Sequence, residues 1–191
     1  VFDAIVLTGG AASRLGGADK PALEVGGTTL LERVLAAVAD AGRIVVVGPA
    51  RPLSPPVISC REDPPGGGPV AALAAGLAHV EADVVLTLAA DLPWIAPAVP
   101  ALLAALAGSS SDCAALVDGD GRVNYLAAAW LRTSLTQALA SVGDPRGASM
   151  RKLASPAAMI EVPDGGGWGL DCDTWDDVDG ARRRLHREGT G

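Results

Sequence analysis

Two kinds of apolar segment alternate along the chain. Short runs dense in valine and isoleucine fall at residues 4 to 8, 43 to 48, 84 to 89, 113 to 117 and 157 to 162, and each predicts a strand covered on both faces. Longer segments rich in alanine and leucine at residues 29 to 40, 69 to 80, 97 to 107, 131 to 142 and 175 to 187 predict helices. The stretch DGRVNYLAAAW, residues 120 to 130, predicts a further strand after a glycine turn. Strand and helix in alternation imply an α/β fold with a mainly parallel sheet. The linkers GPARPLSPP and PDGGGWG are short and mark no boundary, so residues 1–191 read as a single domain.

In such a sheet, ligands collect outside the carboxyl ends of the strands. That singles out the loops at residues 8 to 21, 89 to 94 and 170 to 174. The first lies within LTGGAASRLGGADKP, residues 7 to 21, where Gly9, Gly10, Gly16 and Gly17 leave the backbone bare enough to approach an anion. It is no Walker A loop, because Lys20 is followed by Pro21, and it does not spell GxGxxG. Arg14 offers a two-pronged grip on phosphate oxygens and Lys20 a point charge, which together suit a polyphosphate. The plainer alternative is a glycine loop with two solvated cations.

The second loop ends the apolar run VVLTLAADLP with Asp91, a carboxylate at the end of a buried strand, where charge is costly unless paired or metal-bound. As a cap for the helix near Pro97 it stands too far away. In the third, LDCDTWDD, Asp171 and Asp173 alternate, so in an extended segment both face one side and can share a cation. Alternatively Asp173 or Thr174 caps the last helix.

Composition narrows the chemistry. A net charge of -7 argues against broad nucleic-acid binding. Arg182, Arg183, Arg184 and Arg187 follow Asp173, Asp176, Asp177 and Asp179, the charge order that a helix dipole favours within one C-terminal helix. Cys60, Cys113 and Cys172 are widely spaced and in no CxxC pair, which argues against a disulfide framework or a zinc site. With only His79 and His186, histidine-centred chemistry has little material, so carboxylates and cations must carry the reaction. No apolar run is long enough for a membrane span and no secretory signal is visible, which predicts a cytoplasmic protein. Arg146, Arg151 and Lys152 are candidates for an acceptor's phosphate or a solvated loop. Trp94 and Trp168 are candidates for stacking on a ligand or for packing.

The motifs LTGGAASRLGGADKP, REDPPGGGPVAAL, LAADLP and LDCDTWDDV, in that order, resemble the molybdenum cofactor guanylyltransferases, within the wider group of single-domain nucleotidyltransferases. The resemblance implies a three-layer α/β/α, Rossmann-like nucleotidyltransferase fold. It also implies that Leu7, Thr8, Gly9 and Gly10 lie at the nucleotide, Lys20 on phosphate and Asp63 near the guanosine, and that Asp91 holds magnesium with Asp171 or Asp173. Lys20, Arg14 and Asp91 would then be the catalytic set. GTP and molybdopterin would be the substrates, Mg2+ the cofactor, and a cofactor-delivery or molybdoenzyme-maturation protein a possible partner. Four residues depart from the family pattern. Gly48 stands where asparagine is common, Asp171-x-Asp173 replaces Asn-x-Asn, and Ala72 replaces a glycine. A cytidylyltransferase acting on the same cofactor, a nucleotidyltransferase acting on a sugar phosphate, and a non-catalytic nucleotide-binding protein stay open beside the first reading.

Overall fold

The computed structural model describes residues 1–9, 19–53 and 56–188. In chain order the elements are β1 (Asp3–Leu7), a 3-10 turn (Lys20–Ala22), β2 (Glu24–Val25), β3 (Thr28–Thr29), α1 (Leu30–Ala37), β4 (Ile44–Val47) and β5 (Val57–Cys60). They continue with α2 (Pro69–Leu77), β6 (Val84–Ala89), α3 (Ala98–Ala107), β7 (Cys113–Val117), β8 (Val123–Leu131), α4 (Arg132–Val142), α5 (Met150–Ala154), β9 (Met159–Pro163) and α6 (Trp175–Glu188).

Seven strands form one sheet in the order β5-β4-β1-β6-β8-β7-β9. β1 pairs in parallel with β4 and β6, β4 with β5, and β7 with β9. β8 is antiparallel to both of its neighbours, β6 and β7. The sheet is therefore mainly parallel, as the alternation of segments predicts. Its centre, β1 and β6, is buried nearly throughout, which is why these strands read as unbroken apolar runs.

Helices cover both faces and make three layers. α1 and α3 pack on one face against Ala4, Val6, Leu86 and Leu88, while α2, α4 and α5 pack on the other against Ile5, Leu7, Val45 and Val85. α2 approaches β1 closely at Gly76, where an added Cβ would lie 2.7 Å from Ile5 Cγ2. Ala72, one of the departures from the family pattern, packs within the same core. α6 lies apart, with Val178 and Ala181 against Val25, Leu30 and Cys172.

Local chemistry explains the helix starts. Thr29 and Glu32 form a reciprocal capping box at α1, which begins one residue after the segment expected from residue 29 and stops at Ala37 rather than 40. Gly68, with a φ of 88°, turns the chain into Pro69 at the start of α2. β8 extends through Leu131 and takes the first residue of the helix expected from 131, and β9 lies one or two residues later than its apolar run. β5, the β2–β3 ribbon and α5 have no counterpart in the sequence reading. β5 is an edge strand with partly exposed residues, so it shows no continuous apolar run, and the others are five residues or fewer.

The connections out of β1 and β6 lead toward opposite edges of the sheet, to β4 on one side and to β7, beyond β8, on the other. Such a divergence opens a crevice at the shared carboxyl ends of the two strands.

Candidate active site at the carboxyl ends of β1 and β6

Three of the loops' charged side chains meet in this crevice. Lys20 opens the 3-10 turn, which is held by hydrogen bonds from the Ala22 amide to Asp19 O at 2.9 Å and from the Leu23 amide to Lys20 O at 3.1 Å. Pro21 is buried beneath it. Asp19 is gripped by Arg51, whose Nη1 and Nη2 lie 3.3 and 3.2 Å from its carboxylate oxygens. The backbone at Lys20 is thus fixed on both sides, and the side chain reaches into the crevice. There Lys20 Nζ forms ion pairs with Asp91 Oδ2 and with Asp173 Oδ1, the second at 2.5 Å. The side chains of Lys20 and Asp91 are only 16% and 17% exposed, against 47% for Asp173.

Neither acid serves as a helix cap. Asp91 lies two residues past the end of β6, and the cap of α3 is Pro97, with no side-chain capping bond. α6 is capped by Thr174, whose amide and hydroxyl donate to Asp177 Oδ2 at 2.7 Å while its Oγ1 accepts from the Asp177 amide at 3.2 Å. Asp173 is left to point at Lys20.

The electrostatics follow from this crowding. Burial by itself disfavours the Lys20 ammonium, but the Asp173 and Asp91 carboxylates outweigh it and hold the pKa above the usual 10.5. Asp171, solvent-exposed yet facing the same cluster, has its pKa raised by desolvation and then by the Asp173 and Asp91 carboxylates, with Lys20 opposing. Cys172 between the two acids is buried, and burial with the nearby carboxylates pushes its thiol up to about 12, so it stays protonated and is no thiolate ligand.

The donor set suits a hard divalent cation. Asp91 Oδ1 is buried and accepts no hydrogen bond among the described residues, so one oxygen of a desolvated carboxylate is left over. Among the described residues no three His, Cys, Asp or Glu side chains form a metal cage by themselves. One or two carboxylates completed by phosphate oxygens and water is the coordination that magnesium commonly takes.

The other expected positions are distributed around this centre. Leu7 is buried in the core below, and the Thr8 hydroxyl donates to Val47 O at 3.1 Å, which fixes the end of β1 to β4. At Gly9 an added Cβ would meet nothing within 4 Å among the described residues. At Gly48, by contrast, a Cβ would stand 2.3 Å from Thr8 Oγ1 on a backbone with φ of 151°, so no side chain is accommodated there. Asp63 is exposed in the loop after β5. Gly10 and Arg14 lie outside the described residues.

A cleft of about 550 Å³ continues from Asp91 and Asp171 toward Arg122, Asn124 and Tyr125 of the β7–β8 hairpin. None of these three is prominent in the sequence, because isolated polar residues on a half-buried strand look like ordinary surface. The cleft floor is shaped by Asp164, which accepts from the amides of Gly166, Trp168 and Gly169 at 3.1, 2.7 and 3.0 Å, while Asn124 Nδ2 donates to Gly169 O at 3.2 Å. This bracing delivers the chain to Asp171 and Asp173.

The remaining candidates separate from the centre. Arg146 is engaged by Asp144, with Nη2 to Oδ2 at 2.6 Å, and Arg151 and Lys152 line a different groove between α4 and α5. Trp94 carries Arg184 over its ring at 4.3 Å and Arg33 at 5.8 Å, and Trp168 packs on the α1/α3 side of the core. Both tryptophans are packing residues. No helix among the described residues is long and apolar enough to cross a membrane.

With this geometry in view, the relationships of the chain are informative. Residues 4–159 match the MobA-like NTP transferase domain, a span that takes in Lys20, Asp91 and the first eight strands. The chain belongs to this family. A probable molybdenum cofactor guanylyltransferase of Synechococcus elongatus is 42% identical over 103 residues, 50% of this chain and 53% of that protein, so the match spans about half of that relative's length. A molybdenum cofactor guanylyltransferase of Rhodopseudomonas palustris is 33% identical over 177 residues, covering 84% of this chain and 82% of the relative. Among solved structures, a nucleotidyl transferase from Methanothermobacter superposes with a TM-score of 0.79 at 21% identity, over 98% of both chains, which shows the shared fold. Asp171 and Asp173 lie beyond the matched domain, so the contact of Asp173 with Lys20 rests on the geometry.

Proposed function

We propose that this member of the MobA-like NTP transferases moves GMP from GTP to molybdopterin and releases pyrophosphate. The observation that carries the reading is the meeting of Lys20, Asp91 and Asp173 in the crevice between β1 and β6, beside a cleft large enough for an acceptor. The names of the relatives support the choice of substrates.

In this reaction a phosphate oxygen of the acceptor attacks the α-phosphorus of the triphosphate. A new phosphorus–oxygen bond forms, the bond to the β-phosphate bridge breaks, and its electron pair leaves with pyrophosphate. The attacking group is already an anion, so no general base is needed, which agrees with a site built of carboxylates and a lysine. Catalysis then consists of alignment and of neutralising charge on the triphosphate and leaving group. Lys20 binds phosphate oxygens as a point charge, and the anchored 3-10 turn sets its reach. Asp91, with Asp173 or Asp171, would hold magnesium, which supplies the positive charge that a single lysine cannot. The side-chain-free backbone at Gly9 lets phosphates approach, and the cleft lined by Asn124 and Tyr125 receives the acceptor.

The test is thermal stabilisation by each of the four nucleoside triphosphates with magnesium. GTP is expected to raise the melting temperature most, since a ligand at 100 times its dissociation constant adds about 2.7 kcal/mol. A larger shift with CTP would move the assignment to a cytidylyltransferase. No shift with any of the four would remove the nucleotide site.

A further inference from the structure

The carboxylates that the proposed reaction assigns to magnesium already hold a cation of the chain's own. Lys20 Nζ touches Asp91 Oδ2 and Asp173 Oδ1 together, and both of its anionic partners come from loops far away in sequence. A divalent ion bound by the same two carboxylates would stand against that ammonium at contact distance. Two cations cannot share so small a space, so one must leave. The backbone at Lys20 is anchored, because the turn is closed by its own hydrogen bonds, Pro21 is buried, and Asp19 is held by Arg51. The long, flexible side chain is the part that swings away.

We infer that Lys20 is a built-in counter-ion that keeps the Asp91–Asp173 pair closed to free divalent metal and releases it when a triphosphate offers the ammonium another anion. The inference rests on the nucleotidyl-transfer reading of this site. In the free protein, metal entry drives the mostly buried ammonium off both of its carboxylate partners, and that cost weakens metal binding. With a triphosphate present, phosphate oxygens take over the ammonium and the carboxylates are free for the metal. Metal and triphosphate therefore assist each other, and the coupling must be reciprocal. The benefit to the enzyme is that an acidic crevice does not fill with metal lacking its nucleotide.

The experiment is a titration of the nucleotide-free protein with Mn2+, read by the loss of the free-ion electron paramagnetic resonance signal, with folding of each variant checked by circular dichroism. Lys20→Met is expected to bind Mn2+ at least about tenfold more tightly than the unmodified chain, about 1.4 kcal/mol. The double variant Lys20→Met with Asp91→Asn should lose that gain. Lys20→Gln, which keeps a hydrogen-bonding side chain without the charge, serves the same test should the methionine variant not fold. Equal Mn2+ affinity with and without the lysine charge would overturn the inference. A gain that survives Asp91→Asn would also overturn it, by placing the metal elsewhere. Neither result depends on GTP, so failure here is distinct from failure of the proposed function, which the unmodified chain reports through its response to magnesium and GTP.

Discussion

Two desolvated carboxylates stand at opposite ends of the central strands β1 and β6, and the fold treats them differently. Asp3 begins β1 level with Val85, is 2% exposed, and accepts from the backbone amides of Arg43, Glu81 and Ala82 at 2.8, 2.7 and 2.9 Å. Asp91 follows β6 at the other end, with one oxygen on Lys20 and the other without a donor among the described residues. Both acids carry the cost of leaving water. At the amino end three backbone amides offset that cost and tie the start of β1 to the loops before β4 and β6. At the carboxyl end the offset is incomplete, and what is missing is what a ligand can bring. A buried acid points to function when its own fold leaves it unfinished.

The largest effect expected from this contrast is on rate. Asp91→Asn should slow transfer by about 100-fold to 1,000-fold, the scale of removing one preorganised charge-stabilising group, while the circular dichroism spectrum is unchanged. Asp3→Ala should do the reverse. Three part-buried hydrogen bonds to backbone amides are lost, and urea unfolding should show a loss of about 2 to 3 kcal/mol, with kcat/KM of the folded fraction preserved. If Asp3→Ala lowered turnover as much as Asp91→Asn, the division between the two ends would be void.

Lys20→Ala sharpens the carboxyl end. Triphosphate affinity, measured by calorimetry, should fall by about tenfold to 100-fold, because a charge-assisted contact to phosphate contributes roughly 1.5 to 3 kcal/mol. Lys20 also separates Asp91 from Asp173, so Asp91→Asn removes one of its two anchors and is expected to leave stability slightly lower rather than higher.

How much of this was legible in the sequence differs between the two ends. The parallel sheet, the central strands and the three loops were readable, because buried strands and capped helices impose their periodicity on the residue order. Lys20, Asp91 and Asp173 were readable as candidates from their loops. Their direct contact was not, because it depends on the 3-10 turn and on Thr174 rather than Asp173 capping α6. Asp3 carried no signal, since a single acid ahead of an apolar run looks like an exposed strand start. The hairpin residues Arg122, Asn124 and Tyr125 were hidden for a similar reason, and only the antiparallel insertion of β8 brings them beside Asp91.

The smallest expected effect contrasts two acids within the loop that leads to the site. Desolvation raises the pKa of Asp164, but the amides of Gly169, Trp168, Gly166 and Gly167 more than reverse it, so the net shift is downward. Its stabilisation is therefore present above the unfolded value of about 3.9 and is lost as the pH falls through the lower folded value. Asp171 has the opposite sign. Its raised pKa means that it destabilises the fold increasingly as the pH rises from about 3.9 through the folded value. Asp171→Asn should thus raise the melting temperature at neutral pH, by no more than about 0.5 kcal/mol in stability, and leave it unchanged in strong acid. Asp164→Asn should lower it at neutral pH.

The central claim, that the crevice between β1 and β6 performs nucleotidyl transfer, is tested most directly by measuring pyrophosphate release with GTP, magnesium and molybdopterin together. The account predicts release that requires all three and nearly disappears in Asp91→Asn. Release that continues at the parent rate in Asp91→Asn, or that proceeds equally well without magnesium, would contradict it.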